Sequence, residues 1–340
     1  MNGLEKSISL KFNAKDCIYT ASGTSALYSC FRHLKDIGCK NILIPNIICP
    51  QVSCASIKAG LEPIFGDINL DNFTLSFDSV KESYERFGFK SLVLAHIYGH
   101  ICDERIIDFC KEKSIFIVED CAQTYKIDKN SDFAILSFGH TKFLQNEMGG
   151  GVVLSNKYLD KIRLINDTLT LRPSDYIKAF DEYRNRYYAI DKHKADYYNK
   201  IRELLLEYTL LYKESENEVL EEKLNRLDDI CIARRKKAKI YQSELKHQFI
   251  INPKISNDTV PWRWTFRFIG QNRDEFLQKL RSKNIDCSSW YECNDKIFNG
   301  KCCDLKNSRI FEKQVVNLWL DESISESQIK QNIDIILKTI

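Results

Sequence analysis

Between residues 42 and 155 one alternation recurs: a short, unbroken apolar run, then in most cases a stretch with helical spacing. The runs are ILIP (42–45), EPIFGDI (62–68), SLVLA (91–95), IFIV (115–118), FAILS (133–137) and GVVLS (151–155). A strand that is apolar at every position has to be covered on both faces, and helices between successive strands supply the cover. The pattern predicts an α/β fold with a doubly wound, mostly parallel sheet. Pro50 to Gly60 reads as one covering helix, with proline at its start and glycine at its stop, and Asp103 to Lys113 as another. In such sheets ligands gather beyond the carboxyl ends of the strands, so chemistry is sought there.

The pattern changes near residue 152. Eleven of the thirteen glycines lie at or before Gly151, and Pro173 is the only proline between 64 and 252. Residues 159–241 therefore read as long helices, and the basic cluster Arg234, Arg235, Lys236, Lys237 as a solvated helix face. After Pro261 the segment WRWTFRFIG alternates like a strand. Helices at 273–283 and 325–338 and a run at 315–320 complete a small α+β region. The expected division is 1–165, a large α/β domain; 166–224, a helical connection; and 225–340, a smaller C-terminal α+β domain.

Composition narrows the classes. With 44% hydrophobic and 29% charged residues the chain is globular, not disordered. The 50 basic and 47 acidic residues leave a net charge of +3, which gives no global field for nucleic acid or an anionic membrane. No apolar stretch is long enough to span a bilayer, and the start lacks a secretory run, so neither a nucleic-acid nor a membrane partner is expected. Thirteen cysteines without a CxxC pair read as reduced thiols of a cytoplasmic protein, and the vicinal Cys302 and Cys303 as idle ones.

Four pieces could converge on one site. Ser22-Gly23-Thr24-Ser25 opens an amphipathic helix, whose free N–H groups and partial positive charge suit a phosphate; taken alone it reads as an ordinary N-cap. Glu119-Asp120-Cys121-Ala122-Gln123 ends the run IFIV, where a carboxylate either faces a ligand or caps the next helix. Ser137-Phe138-Gly139-His140-Thr141-Lys142 leaves the run FAILS, and a lysine in a partly buried loop can form a Schiff base, although most lysines are surface charges. Gly149-Gly150-Gly151 permits a tight turn and close backbone approach. His96 and His100 have the HxxxH spacing of a helical metal pair, but Gly99 at a strand end breaks that alignment, so no metal is expected.

Taken together, these motifs resemble the DegT/DnrJ/EryC1/StrS family of pyridoxal-phosphate (PLP) aminotransferases. The similar stretches are ASGTSAL (21–27), the IPN–CP–AG–PIFGDI run (44–68), AHIYGH (95–100), IVEDCAQ (117–123), SFGHTKFLQNEMGGGVVLSN (137–156) and LDDICIARRKKAKIY (227–241). The resemblance implies a PLP fold-type-I architecture and a homodimer with sites at the subunit interface. It implies amino transfer from glutamate to a keto-sugar, most often nucleotide-linked, in surface polysaccharide or natural-product sugar synthesis. It makes Lys142 the lysine that holds pyridoxal 5'-phosphate and moves the proton, and Asp120 the acid that keeps the pyridine nitrogen protonated. It places Gln123 beside the ring hydroxyl, Gly23, Thr24, Ser25 and Ser137 at the phosphate, and Cys49 over the ring, where many relatives carry an aromatic residue.

Two departures bear on the substrate. Many relatives carry an Asn-Tyr-Arg-like segment that reaches the partner's phosphate, and here a Tyr-rich stretch from Asp175 to Tyr212 stands instead. The chain is also short for the family. Alternatives are a smaller phosphorylated ketone as substrate, or a non-catalytic protein that kept the fold; relatives that are dehydratases replace the lysine by histidine, and Lys142 is present. Arg263 and Arg267, on one face of a strand-like segment, are candidate anion contacts.

Overall fold

The computed structural model describes residues 3–146, 149–214 and 218–340; Glu147 and Met148, inside the 137–156 stretch, lie outside the described residues. The apolar runs form strands and the intervening stretches helices: α1 (Gly3–Lys11), β1 (Cys17–Thr20), α2 (Gly23–Asp36), β2 (Asn41–Pro45), α3 (Pro50–Lys58), β3 (Glu62–Gly66), α4 (Phe77–Phe87), β4 (Ser91–Ala95), α5 (Glu104–Glu112), β5 (Phe116–Asp120), β6 (Phe133–Ser137) and β7 (Gly151–Leu154). The middle of the chain holds α6 (Leu159–Asp167), β8 (Thr170–Leu171), α7 (Tyr176–Ala189), α8 (Tyr197–Glu207), β9 (Tyr212–Lys213), α9 (Glu218–Asn225) and α10 (Leu227–Glu244). The last part runs β10 (Ile250–Ile251), β11 (Trp264–Phe268), α11 (Arg273–Ser282), β12 (Cys287–Ser288), α12 (Asn294–Phe298), β13 (Lys301–Cys302), α13 (Lys306–Gln314), β14 (Val315–Leu318) and α14 (Glu326–Leu337).

The large sheet has the order β1-β7-β6-β5-β4-β2-β3-β13. It is parallel from β6 through β13, and β7 runs antiparallel between β6 and β1. Alternate residues face opposite sides, as strand geometry requires. Leu43, Ile64, Leu92, Leu94 and Ile117 pack with Val80 of α4 and Ile106 and Cys110 of α5. Ile42, Ile44, Phe65, Val93 and Val118 pack on the other side with Ala26, Cys30 and Phe31 of α2 and Cys54 of α3. This is a mostly parallel sheet wound on both faces. Two of its strands carry no long apolar run: β1, which closes one edge, and β13, which returns from residues 301–302 to the other. A second, antiparallel sheet, β10-β11-β14-β12, shares its core with α10, α11 and α14.

The two sheets meet at the loop after β4. Trp262 N–H donates to Tyr98 O at 2.8 Å, and Tyr98 itself has φ 55°. Gly99 follows with φ 89°, and a Cβ there would lie 2.1 Å from the Val260 carbonyl oxygen. Both the torsion and the contact exclude a side chain. Gly99→Ala is therefore expected to cost more than about 3 kcal/mol, because strain and a backbone clash add. Gly88→Ala, also at positive φ but facing open space, should cost only about 1 kcal/mol. Urea unfolding midpoints of the two variants check this, and equal losses would contradict it.

Candidate active site

Asp120 is the last residue of β5 and shares the face of Val118, the side covered by α2. It is buried, and its Oδ1 accepts the Ala122 N–H at 2.9 Å. Burial raises its pKa above the usual carboxylate range, against the opposite pull of the Ala122 hydrogen bond, Lys142 and His96. Among the described residues no cation lies within ion-pair distance of it. The neighbouring Glu119 points the other way and is saturated. It meets His96 Nε2 at 2.8 Å and accepts the Asp128 N–H and the Ser131 hydroxyl. His96 Nδ1 accepts the Cys102 N–H at 3.1 Å. His96, Glu119 and Cys121 bring ligand atoms within 4.8 Å of one another, yet the histidine and the carboxylate are already committed to these framework bonds. His100 is also buried, its ring nitrogens without hydrogen-bond partners among the described residues.

Lys142 sits in the loop after β6. It is half-buried, and Nζ lies 5.4 Å from the centre of the Trp262 ring. Burial lowers its pKa; the Cys49 thiol and Asp120 oppose that shift, and Arg263 adds to it. Thr141, just before it, has φ 74°, a conformation that a β-branched residue adopts only under constraint. The constraint is visible: Trp262 Nε1 donates to Thr141 O at 2.7 Å, and Gln145 Oε1 accepts the Thr141 N–H at 3.2 Å. Trp262 thus aims the lysine loop.

The phosphate-like cradle forms where α2, β6 and β7 meet. Ser22 caps α2 by accepting the Ser25 N–H at 3.0 Å. The Gly23 and Thr24 N–H groups, ahead of the first helical bonds, have no partner among the described residues. A Cβ on Gly23 would come 3.0 Å from Ser137 Cβ and 3.1 Å from its Oγ. A Cβ on Gly151 would lie 2.4 Å from the Ser22 carbonyl and 2.5 Å from Gly23 N. Glycine at both positions is what lets the helix N-terminus and Ser137 stand side by side. Ser25 is buried, and its hydroxyl is engaged by the Tyr212 N–H (3.1 Å) and Ser22 Oγ (3.2 Å), so it braces the loop from behind. Arg172 braces it too, donating to Ala21 O at 3.1 Å while paired with Glu214.

Gln123 is buried. Its Oε1 accepts the Tyr98 N–H, and its Nε2 donates to Tyr291 Oη at 2.9 Å. Tyr98 stacks between Trp262 and Tyr291, with ring centres 6.5 and 6.2 Å away. Cys49, the residue before α3, is half-buried and lies within electrostatic reach of Lys142 and Asp120; burial pushes its thiol up. Tyr183 of the Tyr-rich helix α7 feels the same thiol. Of the two candidate arginines, Arg263 reaches Lys142 electrostatically, whereas Arg267 donates to Gln314 Oε1 at 3.0 Å, in the field of Asp71. Tyr98, Tyr291, Trp262 and Tyr183 are the site residues that sequence reasoning missed. The signal for Tyr98, Trp262 and Tyr183 was the aromatic residue inside AHIYGH, WRW and the Tyr-rich stretch; Tyr291 lies in none of these.

A free helix N-terminus beside a serine, a buried carboxylate lacking a cation and a desolvated amine match the phosphate, the ring nitrogen and the carbonyl of PLP. The fold and site define the fold-type-I class of PLP-dependent aminotransferases. The chain belongs to the DegT/DnrJ/EryC1/StrS aminotransferase family, whose model matches residues 1–337. It is 24% identical over 291 residues to the GDP-perosamine synthase of Vibrio cholerae, covering 82% of this chain and 72% of that protein. It is 23% identical over 294 residues to the dTDP-3-amino-3,6-dideoxy-alpha-D-galactopyranose transaminase of Aneurinibacillus thermoaerophilus, covering 84% and 74%. The structure of NtdA from Bacillus subtilis, solved with bound cofactor PMP, matches with a TM-score of 0.77 at 18% identity, over 98% of this chain and 75% of that one.

The depressed pKa of Lys142 has a measurable sign. A lowered pKa leaves more of the amine neutral at a given pH, so acylation of the cofactor-free protein should label Lys142 at lower pH than the exposed lysines. Peptide mass mapping across a pH series checks this. Labelling of Lys142 only at the pH of the surface lysines would contradict a desolvated amine.

Proposed function

We propose that this chain transfers an amino group from glutamate to a nucleotide-linked keto-sugar, with PLP as carrier. The observation that carries the reading is the convergence of Asp120, Lys142 and the Gly23–Ser137 cradle at the carboxyl ends of β5 and β6. The names of the relatives support the substrate class, since they include both GDP- and dTDP-linked sugar enzymes. When bound, PLP supplies a carbonyl that captures amines and a ring that takes up electrons from a bond broken beside the captured nitrogen.

The chain's own residues do the rest. Gly23 and Thr24 offer their N–H groups, and Ser137 its hydroxyl, to the phosphate, with the helix dipole adding attraction. Asp120 would hold the proton on the ring nitrogen; it is only 8% exposed, and charge-assisted pairs are strongest where water is scarce. Lys142 Nζ would hold the cofactor through its amine and, when free, would act as the proton carrier. Burial, which lowers its pKa, favours the neutral, proton-accepting form. Gln123, fixed by Tyr98 and Tyr291, would stand beside the ring hydroxyl, and Cys49 would lie over the ring. Ser25 acts by bracing the loop.

The proposal extends to assembly and place. Helix α7 has no buried residue, and Leu164, Leu171, Ile177, Phe180 and Tyr188 expose between 44% and 76% of their surface on and around it. A second copy covering this apolar stretch would give the interface homodimer of the family. The thirteen free thiols suit a reducing cytoplasm. No helix among the described residues is long and apolar enough to cross a membrane.

The test is a pair of half-reactions: glutamate first, then GDP- or dTDP-linked keto-sugars and small phosphorylated ketones, following the cofactor's visible absorbance. Only nucleotide-linked sugars should restore the starting spectrum. Restoration by the small ketones alone would overturn the substrate class. Lys142→Ala should abolish turnover while the protein stays folded by circular dichroism. Asp120→Asn should lower kcat about 10²–10³-fold, because an amide cannot balance the ring charge. A wild-type kcat in Asp120→Asn would remove Asp120 from the chemistry.

A further inference from the structure

Lys142 is held by its chain neighbours, and both lines of support lead to one side chain. On one side Thr141 O accepts from Trp262 Nε1 at 2.7 Å. The Trp262 carbonyl in turn accepts from Arg234 Nη1 at 2.6 Å. On the other side the Arg234 guanidinium lies over the Phe143 ring, 4.3 Å from its centre. Phe143 meets Tyr125 edge to face at 5.2 Å, and Tyr125 Oη accepts the Leu144 N–H at 3.3 Å. The residues before and after the lysine are thus tied to Arg234, one through an indole and one directly.

Arg234 lies in the middle of α10 and is 4% exposed. Before it, Leu227 and Ile230 pack in the core of the large sheet; after it, Ala238, Tyr241 and Leu245 pack in that of the small one. It stands where the helix passes from one core to the other. Among the described residues no carboxylate comes within ion-pair distance of it. Asp321 acts on it from further away, and Nε is shut off from water without a hydrogen-bond partner. A buried cation so poorly compensated is unfavourable as packing alone, and an apolar side chain would fill the space with less penalty. An apolar side chain could not donate to a carbonyl at its edge while covering an aromatic ring with its face, which a planar guanidinium does.

We propose that Arg234 positions the amine of Lys142: by holding Thr141 through Trp262, and Phe143 by stacking, it fixes the loop that keeps Nζ in its desolvated place. The geometry stands without the transamination reading above; the consequence for turnover rests on it. A lysine side chain is a flexible four-carbon stem, so the direction of its amine depends on how the backbone on either side is held. Misplacing a reacting group by about 1 Å through a change outside the chemistry lowers a rate by up to about 100-fold. Loosening the loop also readmits water to the amine, which raises a pKa that burial lowers.

The experiment compares the wild type with Arg234→Met, Arg234→Lys and Phe143→Leu, each checked for folding by circular dichroism. In cofactor-free protein the pH midpoint for acylation of Lys142 should rise by about one unit in Arg234→Met, while that of the exposed Lys40 stays put. Removing a positive charge would by itself raise the midpoint, so the other two variants separate the causes. Arg234→Lys keeps the charge and loses the flat face, and Phe143→Leu keeps the arginine and loses the ring beneath it; each should show part of the rise. In the holoenzyme Arg234→Met should lower kcat of the glutamate half-reaction about 10- to 100-fold and leave KM within about twofold. A wild-type Lys142 midpoint in folded Arg234→Met would make Arg234 a structural residue. A wild-type midpoint in Arg234→Lys would reduce its effect to charge, and one in Phe143→Leu would remove the stack from it. Each of these overturns the proposal, as does an unchanged kcat, and the last two variants decide it if Arg234→Met does not fold. A wild type that reacts with no amine, while the Lys142 midpoints shift as expected, removes the transamination reading and leaves the positioning in place.

Discussion

Gly151 has no room for a side chain, and much of the site follows from that contact. A Cβ there would lie 2.4 Å from the Ser22 carbonyl, so β7 can pass beside the start of α2 only as glycine. That approach lets β7 run antiparallel between β1 and β6, which sets the N-terminus of α2 against Ser137 at the end of β6. The lysine loop leaves the same strand five residues later. A single backbone contact thus brings the N-terminus of α2, Ser137 and the Lys142 loop to one end of the sheet, while β5, next in line, delivers Asp120.

The second organising feature is charge left unbalanced. Among the described residues, buried Asp120 has no cation and buried Arg263 no carboxylate within ion-pair distance, and Lys142 is desolvated. Each would be unfavourable in a finished core, because a buried charge keeps most of its desolvation cost until it is paired. In a site the missing partners are the cofactor and the substrate. Glu119 shows the contrast. One residue earlier on the same strand, it is fully engaged by His96, Asp128 and Ser131, and it serves the framework.

The strands were legible because a run apolar at every position leaves few alternatives, and SLVLA matches β4 residue for residue. The choice between Glu119 and Asp120 was not legible from spacing, since a fully apolar run carries no parity; family resemblance pointed to Asp120, and strand geometry shows why it faces α2. Strand β1 escaped because CIYT has a single aliphatic residue among a thiol, a phenol and a threonine hydroxyl, and β13 because KC is only two residues long. The hydroxyl of Ser25 is taken by Tyr212, and Gln123 is held by Tyr98 and Tyr291. Such partners are distant in sequence, and no local rule announces them. Trp262 was visible only as part of a strand-like alternation, yet through Thr141 it aims the lysine.

The central claim is that this cluster holds PLP and that Lys142 is its point of attachment. Borohydride reduction of the protein after incubation with PLP, followed by peptide mapping, tests it directly. One reduced cofactor per chain should appear on the peptide containing Lys142, with no other lysine carrying a stoichiometric share. Attachment at another lysine, or no fixed attachment under conditions where the protein is folded, would contradict the account.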